Sequence, residues 1–268
     1  MGVTFFEVEA TCDGAEWFRP NDPARGPWDP DAGHAGPPTG LVVRALERVL
    51  PEHRLARISV ELSRPVPMAG FGITTEVVRS GRATGLTRAA IVDAGGVERV
   101  TAVGMHVALS PVDVVPSTLD NSGIDPPRLA EAEPGEFPIG PFAHGLPGFR
   151  DGVTVRYPPG EGPAIGPTTV WMRTIPLLPD EEMSPFQRIC PLADCGNAFS
   201  RHADPGQLQF MNTDLVVALH RDPVGEWMGS RVTSHWHPSG TGLADAVLFD
   251  EEGQVGRALQ TLLIRPYG

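Results

Sequence analysis

The stretch TGLTRAAIVDAGGVERVTAV at 84–103 is echoed 157 positions later by TGLADAVLFDEEGQVGRALQ at 241–260. With that offset held and no gap, Leu62 meets Leu219, Arg64 meets Arg221, and Gly85-Leu86 meets Gly242-Leu243. Ala89 then meets Ala246, and Asp93 and Gly96 meet Asp250 and Gly253, a turn pattern between two apolar runs. A shared turn alone would be coincidence. Matches kept in one register across the whole span indicate an internal duplication. A chain of 268 residues has room for two units that each bury a core.

The two echoing regions have the same expected make-up. Apolar and β-branched runs at 55–63, 71–79, 85–93 and 97–109 predict four strands, as do 210–220, 226–235, 242–250 and 254–265. One or two more strands precede each set, at 3–9 and 14–19, and at 152–157 and 168–175. Between them lies a helix: PPTGLVVRALERVL (37–50), apolar around most of its circumference and so expected to be buried, and SPFQRICPLADCGNAFS (184–200). Ser184 and Pro185 form a start signal, and Pro191 should kink or interrupt the second helix. The Pro-, Gly- and acid-rich segment 110–141 reads as a linker. The expected fold is α+β: an N-terminal unit at 1–109, the linker, and a C-terminal unit at 142–268. An antiparallel sheet wrapped around a long helix is the hotdog arrangement, and two of them make a double hotdog of two sheets.

Composition narrows the chemistry. A net charge of −12 excludes a basic nucleic-acid-binding face. All 21 basic residues are arginines, which removes Schiff-base chemistry and a P-loop lysine. Cys12, Cys190 and Cys195 have no zinc-type spacing and read as reduced thiols of a soluble, cytoplasmic protein. No apolar stretch is long enough to span a membrane. His235 and His237 share a strand face but lack a third ligand, so neither a metal nor any other cofactor is expected. GHAGPPTG (33–40) reads as a Gly/Pro turn feeding the first helix. No Gly-x-Ser-x-Gly elbow exists. Trp28, Trp171, Trp227 and Trp236 read as core or interface residues.

Four segments, GPWDPDAGHAGPPTGLVVRALER (26–48), VELSRPVP (60–67), DLVVALHRDPVGEW (214–227) and DEEGQVGRALQTLLI (250–264), resemble in order and spacing the acyl-CoA thioesterase II (TesB-like) double-hotdog proteins. The resemblance implies hydrolysis of a fatty acyl-CoA by water, with a helix Asp, a strand Ser or Thr and a last-strand Gln as the reactive group. Asp194 and Gln260 match two of these. The hydroxyl position falls on Asn212, a departure, with Thr213 beside it on the opposite strand face.

The two units differ where that group lies. At the fixed offset Val103 faces Gln260, Leu55 faces Asn212, Ala56 faces Thr213, and Pro37 lands opposite Asp194. One reactive site, built by the C-terminal unit, is therefore expected. Each residue also has a plainer reading: Gln260 tying down a neighbouring backbone group, Asp194 serving as a helix-end carboxylate. Backbone N–H groups at the helix start would meet the oxyanion, and Arg79 or Arg82 would meet the phosphates of CoA. A hydratase or dehydratase using an Asp/His pair, with His202 as the histidine, and a non-catalytic acyl-CoA binder are the alternatives. A homodimer is compatible with either.

Overall fold

The computed structural model describes residues 2–12, 15–113, 126–140 and 145–266. In chain order they form β1 (Phe6–Cys12), β2 (Ala15–Pro20), α1 (Gly36–Val49), β3 (Arg54–Glu61), β4 (Phe71–Ser80), β5 (Thr84–Val92) and β6 (Glu98–Val107). Then come β7 (Glu133–Gly135), β8 (Val153–Tyr157), β9 (Thr168–Thr174), α2 (Pro185–Ala193), α3 (Gly196–Phe199), β10 (Leu208–Asn212), β11 (Asp214–Leu219), β12 (Met228–His237), β13 (Thr241–Asp250) and β14 (Gly253–Pro266).

The expected pair of sheets is one continuous sheet of 14 strands. Its order is β1-β2-β4-β5-β6-β3-β11-β14-β13-β12-β9-β8-β7, and β10 pairs with the far end of β14. The join is the antiparallel pair β3–β11, with Val60 opposite Leu215 and Ile58 opposite Val217. Each of those strands would otherwise be an open edge with unpaired N–H and C=O groups; joining them removes two edges at once. Read outward from the join, both halves have the same strand order, the second adding β7.

The segment read as a linker differs from expectation. Residues 114–125 and 141 lie outside the described residues. Glu133–Gly135, however, extends the sheet beside β8, and Phe137 and Ile139 are buried in the core. A few apolar anchors within a Pro- and Glu-rich segment are enough to dock it.

The helices share one core with the sheet. Leu41, Val42, Val43 and Leu46 of α1 are buried, as are Phe186, Ile189 and Leu192 of α2. The two helices touch through glycine. A Cβ at Gly36 would lie 2.8 Å from Pro191 Cα and 3.2 Å from Asp194 Cβ, at the end of α2. Only a residue without a side chain allows that approach. Ser184 caps α2 as expected, its hydroxyl accepting from the Gln187 N–H at 3.1 Å. Pro191 offers no N–H to the helix. Helix α2 stops at Ala193, and the chain turns through Asp194 and Cys195 before α3.

Candidate active site

Asp194 closes the last turn of α2 and is 3 % exposed. A carboxylate there is opposed by the helix dipole and by burial, so it needs partners. It has them. Asn212 Nδ2 donates to Asp194 Oδ1 at 2.8 Å, and His34 Nδ1 lies 3.0 Å from Oδ2. The His34 ring stacks on Phe149 with centroids 3.8 Å apart, which fixes its plane. Nδ1 also lies 3.2 Å from the Gly36 N–H, at the start of α1.

Gln260 is 1 % exposed, and both ends of its amide are occupied. Oε1 accepts from the Asn197 N–H at 3.0 Å, while Nε2 donates to the Asp194 backbone carbonyl at 2.9 Å. It therefore ties both sides of the α2–α3 break to β14. Its side chain does not line the cavity described below.

Asn212 and Thr213 separate because the strand is interrupted between them. β10 ends at Asn212 and β11 starts at Asp214, while Thr213 sends its N–H to Thr261 O and its exposed hydroxyl lies 3.4 Å from the same oxygen. The position 157 residues earlier, Ala56, is the extra residue of a bulge in β3 against β6. The same irregularity thus occurs in both halves, and here it turns Asn212 toward Asp194.

Asp194, His34, Asn212 and Asn197 open onto a cavity of about 430 Å³ whose wall is mostly apolar, including Trp28, Phe137, Phe149, Phe210 and Leu62. Both halves of the chain contribute to it, so the C-terminal half alone does not build the site. Trp28, expected in a core or interface, is a cavity wall packed edge-on against Phe210. His34 is the residue that sequence reading missed. It sits in GHAGPPTG, and its one signal was a titratable side chain placed immediately before a buried helix.

Several expected placements are corrected. Gln260 faces Ala244 across β13–β14, and the corresponding pair in the first half is Gly104 facing Thr87, not Val103. The first hairpin has one more residue: Ile91 pairs with Val100, whereas Leu248 pairs with Gly256. A Cβ at Gly104 would lie 2.7 Å from Thr87 Oγ1 and 2.9 Å from Leu55 Cδ1, so that place in the first half is filled. Pro37 lies in the first turn of α1 and Asp194 ends α2, so they are not counterparts. Arg79 and Arg82 belong to the β4–β5 hairpin, near the start of β3, and neither lines the cavity. The cavity lies beyond the other end of β3, an eight-residue strand of roughly 25 Å. His202 stacks on Trp236 and binds Ser234 O at 2.9 Å, and it does not line the cavity.

Cys195 Sγ lies 4.0 Å from His34 Nε2, a geometry that suggests a Cys–His nucleophile. Burial, and then the charge of Asp194, push its thiol well above the usual range. The thiol donates to Pro191 O at 3.0 Å. No thiolate is at hand to attack. Among the described residues no group of three or more His, Cys, Asp or Glu could hold a metal, and no helix is long and apolar enough to cross a membrane.

Residues 24–107 match the family model of the acyl-CoA thioesterase N-terminal domain, and residues 125–264 match that of the C-terminal domain. The chain has no match among curated proteins. Among solved structures it is similar to a candidate thioesterase from Novosphingobium aromaticivorans (16 % identity, all of both chains covered, TM-score 0.76). It is also similar to the acyl-CoA thioesterase II TesB2 of Mycobacterium marinum (19 % identity, 97 % of this chain and 96 % of that one, TM-score 0.63). The tesB protein of Mycobacterium avium subsp. paratuberculosis is a third (14 % identity, 97 % and 96 % covered, TM-score 0.66). At such identities these structures speak for the hotdog fold, while the two family models span most of the sequence: the chain belongs to the acyl-CoA thioesterase family.

Proposed function

We propose that the protein hydrolyses a fatty acyl-CoA by direct attack of water, in the cavity where Asp194, Asn212 and His34 meet. One observation carries this reading: a buried carboxylate, held on both oxygens, on the wall of an apolar cavity. Asp194 takes a proton from water as the water oxygen bonds to the thioester carbon. The carbonyl oxygen becomes an oxyanion at the start of α1, where Pro37 and Pro38 have no N–H, the Gly36 N–H is turned to His34, and the Ala35 N–H remains as a donor on the cavity wall. The C–S bond then breaks. The sulfur leaves with the proton from Asp194, giving free acid and CoA. Asn212 fixes the carboxylate, and Gln260 acts as a positioning residue through the backbone of Asp194 and Asn197.

The same reading takes the two halves as copies of one unit, divided near 110–141, with the reactive residues mainly in the second. The shared strand order and the irregularity at Ala56 and Thr213 support it. The filled space at Gly104 favours a single site.

A second reading, hydration of an unsaturated acyl-CoA, is favoured by the His34–Asp194 contact, because an imidazole and a carboxylate on one wall are an acid–base pair. An acyl-CoA panel separates the two. Hydrolysis liberates free thiol; hydration removes enoyl absorbance and leaves the thioester intact. Free thiol from saturated acyl-CoAs, lost in Asp194→Asn, is the expected result; no thiol from any substrate would overturn the proposal.

A further inference from the structure

The cavity has one arginine on its wall among the described residues, Arg64, in the loop that follows β3. Its side chain is exposed and has no hydrogen bond or ion pair among the described residues. Its backbone is held nonetheless. The Arg64 N–H donates to Arg99 O at 2.9 Å, the next residue is Pro65, and two positions on, the Val66 carbonyl accepts from the Gly33 N–H at 2.7 Å. An unpaired guanidinium on a braced loop, at the rim of a cavity, is poised for an anion.

The echo in the sequence shows how Arg64 comes to be free. Its counterpart, Arg221, is fully spent: both terminal nitrogens lie 2.6 Å from the Asp250 carboxylate, and Nη2 also donates to Gly253 O. The counterpart of Asp250 is Asp93, which could hold Arg64 in the same way. Instead Asp93 is taken by Arg99, whose Nε donates to Oδ2 at 2.7 Å. In the second half the residue at the place of Arg99, reckoned past the shorter hairpin, is the buried Val255, so Asp250 has no competing cation there. The first half has thus changed the partner of its turn aspartate, and the released arginine faces the cavity.

We propose that Arg64 is the residue that receives a phosphate of CoA when the acyl-pantetheine arm occupies the cavity. The assignment rests on the hydrolase reading for the identity of the ligand, and it replaces the expectation placed on Arg79 and Arg82. Exposure at the rim suits the nucleotide end, which stays near solvent, rather than the acyl chain, which needs the apolar wall. On a chain of net charge −12 a polyanion requires such a local cation. Asp29 also lines the cavity, and its Oδ1 already accepts from the Asp31 N–H at 2.9 Å.

The test compares hexanoyl-CoA with hexanoyl-N-acetylcysteamine, which has the same thioester and no phosphate, in the full-length parent, Arg64→Gln and Arg64→Lys. Calorimetric titration of free CoA and of pantetheine into each protein runs alongside. Arg64→Gln should raise KM for hexanoyl-CoA about tenfold, equivalent to about 1.4 kcal/mol, with kcat within about twofold. Affinity for free CoA should fall by a similar factor. The truncated thioester and pantetheine should be unaffected, and Arg64→Lys should recover most of the loss, since phosphate accepts either cation. An unchanged CoA affinity, or an equal loss on both thioesters, would overturn the assignment. If the parent hydrolyses neither thioester yet binds CoA in an Arg64-dependent way, the hydrolase reading fails and the assignment stands.

Discussion

At the scale of single residues, the site divides into groups that face the cavity and one that braces them. Asp194→Asn nearly preserves shape but removes the base, so kcat for release of free thiol should fall by roughly 10²–10⁴. A variant as fast as the parent would remove Asp194 from the mechanism. Gln260→Ala acts differently, because two buried backbone groups, the Asn197 N–H and the Asp194 C=O, lose their partner. It should cost about 1–3 kcal/mol of stability in chemical denaturation and lower kcat as well. A loss of kcat with unchanged stability would place Gln260 against substrate rather than against the backbone. Asn212→Thr shortens the side chain and restores the hydroxyl that the family resemblance implies; activity should be kept or raised, measured by the same thiol release.

At the scale of elements, the approach of α1 to α2 sets where Asp194 sits. Gly36→Ala places a methyl 2.8 Å from Pro191 Cα, a backbone atom that cannot rotate away. The helices must separate, at a cost of about 1–3 kcal/mol. Because the same methyl lies 3.2 Å from Asp194 Cβ, activity should fall by more than the unfolded fraction explains. Activity per folded molecule equal to the parent's would show that the site tolerates the shift. Buried Arg44 on α1 is a second constraint, with Nε 2.6 Å from Glu181 and Nη1 2.5 Å from Glu16. It clamps the first helix to β2 and to the loop before α2.

At the scale of the whole molecule, stability should decline on mild acidification. Burial holds the His106 imidazole below its ordinary pKa, and burial followed by Arg221 and Arg54 does the same to His220. In the unfolded chain each takes up a proton near pH 6.5. Below that value the unfolded state binds more protons than the folded one, so stability falls as pH drops through it. Glu47 works in the opposite sense, since burial raises its carboxyl and acidification relieves it. The melting temperature should be lower at pH 5.5 than at 7.5, and His106→Gln should reduce that difference. An identical pH profile in the variant would assign the acid sensitivity elsewhere.

Much of this protein follows from local pattern. Alternating apolar runs, Asp-x-x-Gly turns, a buried helix after Gly and Pro, and a cap at Ser184 all depend on neighbours in sequence, and the strands and helices lie close to where those signals put them. Asp194 and Gln260 drew attention through the family resemblance, and Asn212 by departing from it. What the sequence could not show depends on contacts between distant segments. His34 joins Asp194 from 160 positions away, since 194 minus 34 is 160, through the packing of α1 on α2. One extra residue in the first hairpin shifts the counterpart of Gln260 from Val103 to Gly104. The single sheet arises only when β3 finds β11, because an unpaired edge is a property of the assembled half and not of any strand. Arg64 has no partner among the described residues for the same kind of reason: an arginine is available or spent according to which carboxylate the folded chain brings beside it.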